Sequence, residues 1–235
     1  MAHKKRLAAM KTWPIERKAS VWITRPLPSG HPQQFCMPIN IILRDLLKIT
    51  KTTSETKKLL QSEKILLDNV EIKDYRRAVG LFDRLSIPLI NKFYTIVITR
   101  KGKLKLIEIS KENAAIKPLK IINKNAIKGN RLQLTFHDGR TMIGSNELNK
   151  YKVNDSVIFD LGTKKIISHL PLVKSALVYI IAGKHVGKIG LYSESVLKGY
   201  ERYGIVTFGS EKTEIPIKNL FVINEMIVKE LENID

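Results

Sequence analysis

The sequence predicts an α+β protein built from several small domains, and three observations predict it. Its 235 residues correspond to one or two domains at roughly 150 residues each, with three small ones within range. Helical periodicity is strongest between residues 40 and 62, after which short apolar runs alternate with turn signals. Glycine then thickens: Gly30, Gly80 and Gly102 are the only glycines before residue 129, and the other ten lie between Gly129 and Gly209. Glycine supplies the positive φ angles of tight turns, so the chain changes near residue 125 from mixed helix and strand to nearly all strand.

The first 40 residues hold five of the nine prolines (Pro14, Pro26, Pro28, Pro32, Pro38) and a net charge of +6. That composition predicts an extended basic arm over residues 1–40, with Trp13, Trp22 and Phe35 tacking it to the body rather than stacking on bases. Next, Asn40 reads as the cap of a helix whose apolar face is Ile41, Ile42, Leu46 and Leu47. Thr53 or Ser54 reads as the cap of a second helix over 55–62, with Leu59 and Leu60 inward and Lys57 and Lys58 outward. Strands at 65–67 and 70–72 flank the turn Asp68-Asn69, and a further strand is expected at 84–88. Residues 41–90 form the first unit in this reading.

From Phe93 the pattern is β. Runs at 93–99 and 103–109 flank Arg100-Lys101-Gly102, and runs at 131–136 and 141–143 flank His137-Asp138-Gly139-Arg140. Runs at 157–160 and 165–168 complete a central β domain, 91–172. Short strands at 177–182, 189–192, 205–208 and 213–217 make a third unit, 173–235. It ends in an acidic segment (Glu225, Glu230, Glu232, Asp235) that reads as a helix with Ile227, Val228 and Leu231 inward.

Charge narrows the function. Lys and Arg number 41 against 22 Asp and Glu, a net of +19, all of it in the first 170 residues. A self-repelling charge of this size disfavours compactness, and its ordinary physical use is to neutralise phosphates with counterion release. A solvated lysine-rich surface and an anionic membrane surface are the competing readings, the second without a basic amphipathic helix to carry it. No apolar run approaches the roughly 18–20 residues of a membrane span, and the basic start has no signal-like apolar stretch behind it, so a soluble intracellular protein is expected.

Catalytic constellations are missing from the pattern. The histidines (His3, His31, His137, His169, His185) are scattered, and the single Cys36 excludes an internal disulfide and a cysteine-based zinc site. No base stands near Cys36 to activate it as a nucleophile. The segment Gly183-Lys184-His185-Val186-Gly187-Lys188-Ile189-Gly190 could be mistaken for a phosphate-binding P-loop. That loop needs four residues between its glycines and Ser or Thr after its lysine, whereas here there are three, and Ile189 follows.

Two motifs point to RNA instead. Helix, turn, basic helix and strand-turn-strand over 41–90 resemble the alpha-L RNA-binding fold, with Lys57-Lys58 and Asp68-Asn69 at its degenerate positions. A strand, a Gly-Lys-x-x-Gly turn and another strand at 183–190 look like a KOW motif, which opens small SH3-like barrels. Read in order, Lys11-Thr12-Trp13-Pro14, Gly30-His31-Pro32, Leu67-Asp68-Asn69-Val70, Val153-Asn154-Asp155-Ser156-Val157 and the glycine-lysine segment resemble the S4e family of archaeal and eukaryotic small-subunit ribosomal proteins. The composition looks archaeal.

The resemblance implies a basic arm, an alpha-L domain, a central β domain and a C-terminal SH3-like KOW barrel. It implies a non-enzymatic constituent of the small subunit in the cytoplasm. Its partners would be small-subunit rRNA and neighbouring ribosomal proteins, with no cofactor, metal, membrane, small-molecule substrate or second copy of the chain. The residues expected to bind RNA are Lys4, Lys5, Arg6, Lys11, Arg17 and Lys18 in the arm, and Lys51, Lys57, Lys58, Lys64, Arg76 and Arg77 in the alpha-L unit. Arg100, Lys101 and Lys103 would add a hairpin, and Gly183, Lys184, His185, Gly187 and Lys188 the KOW turn. Two alternatives remain: an RNA-modifying enzyme with an appended alpha-L domain, which needs a catalytic domain, and a KOW-type transcription factor, which leaves the basic arm unexplained.

Overall fold

The computed structural model describes residues 4–209 and 211–232, so His3 and Asp235 lie outside the described residues. The chain divides into two compact units, Met1–Val97 with Lys103–Lys117, and Ile98–Gly102 with Pro118–Asp235. Both mix short helices with antiparallel sheets.

In the first unit, the sheet order is Val70–Glu71, Leu66–Leu67, Arg84–Ile87, Lys92–Ile98, Leu104–Ile109. Asp68 and Asn69 both take positive φ (50° and 63°), which is the backbone of a type I′ hairpin turn and explains how this pair closes a two-residue hairpin. Thr53–Ser62 is helical, capped one residue earlier than the sequence suggests. Thr52 Oγ1 accepts from Glu55 N at 3.2 Å, and Glu55 Oε2 accepts from Thr52 N at 3.4 Å, a reciprocal capping box.

The first helix departs from expectation. Its regular turn is Ile39–Ile41, followed by wider π-type turns over Ile42–Leu46, where Leu47 N reaches back five residues to Ile42 O at 2.9 Å. Asn40 is not a cap: it is fully buried, and its Nδ2 donates to Thr24 Oγ1 at 2.6 Å and Thr53 Oγ1 at 3.1 Å. The π turns rotate Leu46 and Leu47 to half-buried positions and put Leu43 in the core beside Ile39, Ile41 and Ile42.

The arm is held to the body more fully than its composition indicates. Residues 4–40 are folded onto the first unit rather than extended away from it. Lys4–Lys5 pairs antiparallel with Trp22–Ile23, and Cys36–Pro38 pairs with Ala78–Gly80. Trp13 is fully buried, and its Nε1 donates to Cys36 O at 2.8 Å. Trp22 stands 55% exposed, so of the two tryptophans Trp13 is the buried anchor. The apolar content of this segment is small, but one buried indole contributes about as much area as two aliphatic side chains.

The second unit carries two sheets with separate cores. One is ordered Thr141–Gly144, Arg131–Phe136, Ile116–Ile127, Ser156–Asp160, Ile166–Leu170, and packs Leu119, Ile121, Leu134, Phe136, Val157 and Phe159 together. The other is ordered Glu211–Pro216, Glu201–Phe208, Ile189–Lys198, Leu177–Ile180, Leu220–Val222, around Val178, Ile180, Tyr192, Val206 and Leu220. The latter sheet has two edges and does not close on itself among the described strands. The strand Ile116–Ile127, the longest in the chain, has no counterpart in the sequence reading because its lysines and asparagines hide its period. Glu225–Glu232 is helical, with Asn224 Oδ1 accepting from Met226 N and Ile227 N and with Ile227 and Leu231 buried.

Candidate nucleic-acid interface

On the helix Thr53–Ser62, Thr56 and Leu60 are buried four residues apart, which leaves Lys57 and Lys58 exposed. Lys57 Nζ sits 4.7 Å from the centre of the Tyr75 ring, and Arg76 Cζ lies 5.7 Å from it. Two cations thus share one aromatic ring, a contact worth roughly 0.5–1 kcal/mol each at exposed sites. The turn bearing Tyr75 is clamped by its backbone: Asn40 N donates to Tyr75 O, Leu27 N to Arg76 O, and Ile39 N to Arg77 O, at 2.9–3.1 Å.

Asp74 shapes this cluster. Its carboxylate accepts from Arg76 N at 2.8 Å, Arg76 Nε at 3.2 Å and Arg76 Nη2 at 2.8 Å. These hydrogen bonds with Arg76 outweigh burial and hold the Asp74 carboxyl below its ordinary value. Arg76 is therefore half-buried and engaged with Asp74, whereas Arg77, Lys51, Lys58 and Lys64 stand exposed. Beside Arg76 opens a cavity of about 340 Å³ lined by Arg25, Pro26, Pro28, His31, Gln33 and Cys36 among others. Burial pushes the Cys36 thiol up, against a smaller opposing hydrogen bond from Ser29.

The second unit brings together two turns that lie far apart in sequence. A Cβ on Gly187 would fall 2.5 Å from Arg100 N and from Thr99 C, so the glycine-lysine turn rests on the backbone of the 98–102 turn. Gly187 also has φ +76°, a conformation suited to glycine. Exposed Arg100, Lys101, Lys184 and Lys188 therefore share one unit, with Gly183 exposed and Gly187 half-buried. His185 is half-buried, stacked on Phe208 with ring centres 5.4 Å apart, and Lys188 Nζ is 5.7 Å from the same ring.

Among the arm residues, Lys5, Lys11 and Lys18 are exposed, while Lys4 and Arg17 are half-buried. Burial, and then Arg25, pull the Lys4 ammonium below its ordinary value, and it lies 5.2 Å from the Trp13 ring. Lys103 is half-buried and donates to Lys11 O. Arg6 corrects the expectation outright. It is 6% exposed, its Nε donates to Glu16 O at 2.5 Å, and its Nη1 pairs with Asp45 at 3.4 Å, so its charge is spent inside the protein.

Three more cations are internal and were missed. Lys117 is fully buried, with Nζ 2.7 Å from Asp68 Oδ2 and 2.5 Å from Asp83 Oδ1. Asp83 also meets His31 Nε2 at 3.0 Å and accepts from Gly80 N at 2.7 Å. A Cβ on Gly80 would strike the His31 ring at 2.2 Å, so only glycine admits that ring. Burial alone would raise the Asp83 carboxyl, but Lys117 and His31 overcome it and hold it well below its ordinary value. Arg84, buried nearby, donates through Nε to Ile116 O at 2.8 Å. Lys120 is buried without a carboxylate partner among the described residues: its Nζ donates to Ile217 O, Lys218 O and Leu220 O at 2.9, 3.0 and 2.7 Å. Burial pushes its pKa down to about 7. No spacing rule links these residues to their partners. Tyr75 also lay outside the expected residues, although an aromatic beside Arg76-Arg77 is the kind of signal that points to it.

Comparisons with known proteins agree on one family. A family model described as "Ribosomal family S4e" matches residues 90–166. A protein named "Small ribosomal subunit protein eS4" from Methanocella arvoryzae is 46% identical over 192 residues, covering 82% of this chain and 80% of its own. Its namesakes from Nanoarchaeum equitans and Archaeoglobus fulgidus are 43% and 36% identical, covering 83% and 91% of this chain and 82% and 88% of theirs. The crystal structure of the 30S ribosomal protein S4e from Thermoplasma acidophilum superposes with a TM-score of 0.69 at 28% identity, over 80% of this chain and 95% of that one.

Proposed function

This chain belongs to the S4e family of ribosomal proteins, and on that premise we propose that it binds small-subunit rRNA through the exposed cations around Tyr75 and around the glycine-lysine turn. It is a structural constituent of the small ribosomal subunit and acts in the cytoplasmic ribosome. The alternatives weighed from sequence, RNA modification and association with a polymerase, find no support among the relatives.

The observation that carries the RNA-binding reading is that most cations of the two clusters point into solvent, while those needed for folding are paired inside. Residues 41–90 are read as the alpha-L domain, 91–172 as the central β domain and 173–235 as a KOW unit of SH3-like type, with residues 1–40 as a basic extension packed on the first unit. Lys5, Lys11, Lys18, Lys51, Lys57, Lys58, Lys64 and Arg77 are the cations assigned to RNA in the first unit, and Arg100, Lys101, Lys184 and Lys188 in the second. Lys4, Arg17, Arg76, Lys103 and His185 are half-buried members of the same surfaces, and Gly183 and Gly187 shape the turn. Such cations position the protein on phosphates, and selectivity comes from RNA shape and unpaired bases. Neighbouring ribosomal proteins are the expected second class of partner. Sedimentation of cell lysate tests the placement: the chain should run stoichiometrically in the small-subunit peak, and its absence from that peak would overturn the reading.

A further inference from the structure

We propose that the cavity beside Arg76 receives one unpaired nucleotide of the bound RNA, with its base between the proline-lined wall and Gln33 and its phosphate on Arg25. The inference rests on the RNA-binding reading and goes beyond it by assigning a base-recognition site in a protein otherwise read as holding phosphates.

Four features favour this occupant. The cavity, at about 340 Å³, lies at the lower end of the roughly 300–1,000 Å³ typical of ligand pockets. Its lining combines apolar Pro26, Leu27 and Pro28 with polar Arg25, His31 and Gln33. Flat apolar surface suits an unstacked base, and a carboxamide offers both a donor and an acceptor to a base edge. Among the described residues, the Gln33 amide makes no hydrogen bond, and Arg25 makes no hydrogen bond or ion pair.

The cavity is also continuous with the candidate interface. Arg76 lines it and also approaches the Tyr75 ring, which Lys57 approaches as well. A strand of RNA tracked by Lys57, Lys58 and Arg77 would therefore pass its mouth. Buried His31 and Cys36 also line it; His31 is held by Asp83, and Asp83 by Lys117, so this part of the lining is braced from within. A bare phosphate would leave the proline wall wet and would gain little from a neutral amide. An acidic peptide would use the cations but not the flat wall.

The test is rRNA binding by the full chain carrying Gln33→Ala or Gln33→Trp, the first removing the amide and the second filling the cavity. Gln33 is exposed in the short turn Gln33–Phe35, so thermal midpoints should not move. Against transcribed small-subunit rRNA at about 150 mM salt, both variants should bind about tenfold more weakly; Gln33→Ala should keep the slope of log K against log salt, because no phosphate contact is lost, whereas Gln33→Trp, which also displaces the phosphate from Arg25, should make it shallower by about 0.7–0.9. Ultraviolet crosslinking of the unaltered chain should join an unpaired nucleotide to the segment 25–36. Unchanged affinity in both variants, or a shallower slope in Gln33→Ala, would overturn the proposal while leaving the RNA reading intact. Failure of the unaltered chain to bind rRNA would remove the RNA reading itself. Titration with free AMP and UMP separates a nucleotide ligand from an RNA nucleotide: tight mononucleotide binding that the variants lose, with rRNA affinity untouched, would also overturn it.

Discussion

Lys117 and Lys120 lie on one strand, Ile116–Ile127, three residues apart, and both are buried, yet they are stabilised by different chemistry. Lys117, in the first unit, faces two carboxylates, one of which also meets His31. Lys120, in the second unit, faces three backbone carbonyls and no acid. Paired charge in low dielectric is held by Coulomb attraction, whereas carbonyl dipoles offset only part of the desolvation. The contrast teaches that a net charge of +19 is not a count of RNA contacts. Some of it is consumed in folding, and by two routes.

The harshest way to break the contrast is Lys117→Met. It leaves Asp68 and Asp83 buried without their cation, and the first unit should lose about 3–5 kcal/mol in denaturant unfolding. The network also sets an acid limit. Asp83 is held below its unfolded value of 3.8, so its contribution is present above about pH 4 and is lost as pH falls through its lower folded value. A first unit whose stability is flat from pH 6 down to about pH 2 would contradict this.

Gly187→Ala comes next. The added methyl would meet backbone atoms at 2.5 Å and sit at φ +76°, and a loss of about 2–3 kcal/mol is expected in the second unit. Unaltered thermal unfolding would mean that the turn at 98–102 moves aside freely.

Lys120 supplies an effect of comparable size and distinctive sign. Its pKa is about 7 in the fold and 10.5 when exposed, so between those values the unfolded chain binds more protons. Stability attributable to Lys120 should therefore rise with pH from about 7 to 10, by roughly 1 kcal/mol per unit, and level off below 7. The difference between the unaltered chain and Lys120→Met, followed by denaturant midpoints across that range, should carry this slope. Parallel curves would contradict it.

Much of the fold is legible in the sequence because it is local. Asp68-Asn69, the hairpins around Gly102 and Gly139, and the C-terminal helix are each set by residues within a few positions. The outward pair Lys57-Lys58 follows from helical spacing in the same way. What escaped is non-local. The charge on Lys117 meets Asp68 across 49 residues, Lys120 meets carbonyls about 100 residues on, and Arg6 finds Asp45. A lysine that will be buried has the same composition as one that will be solvated, and a 12-residue strand rich in Lys and Asn shows no period. The arm was misjudged for a related reason: its prolines exclude regular helix, but they do not prevent short strands from pairing with the body.

The smallest predicted changes in stability belong to the residues that matter most for binding. Replacing exposed Lys57, Lys58 and Arg77 with alanine should leave unfolding within about 0.5 kcal/mol of the unaltered chain. The salt dependence of rRNA affinity tests the central claim most directly, comparing the unaltered chain with that triple variant. If about ten phosphates are contacted, the unaltered chain should give a slope of log K against log salt of roughly −7 to −9. The triple variant should be shallower by about 2 while remaining folded. A slope near zero in the unaltered chain, or an identical slope in the folded triple variant, would contradict the account.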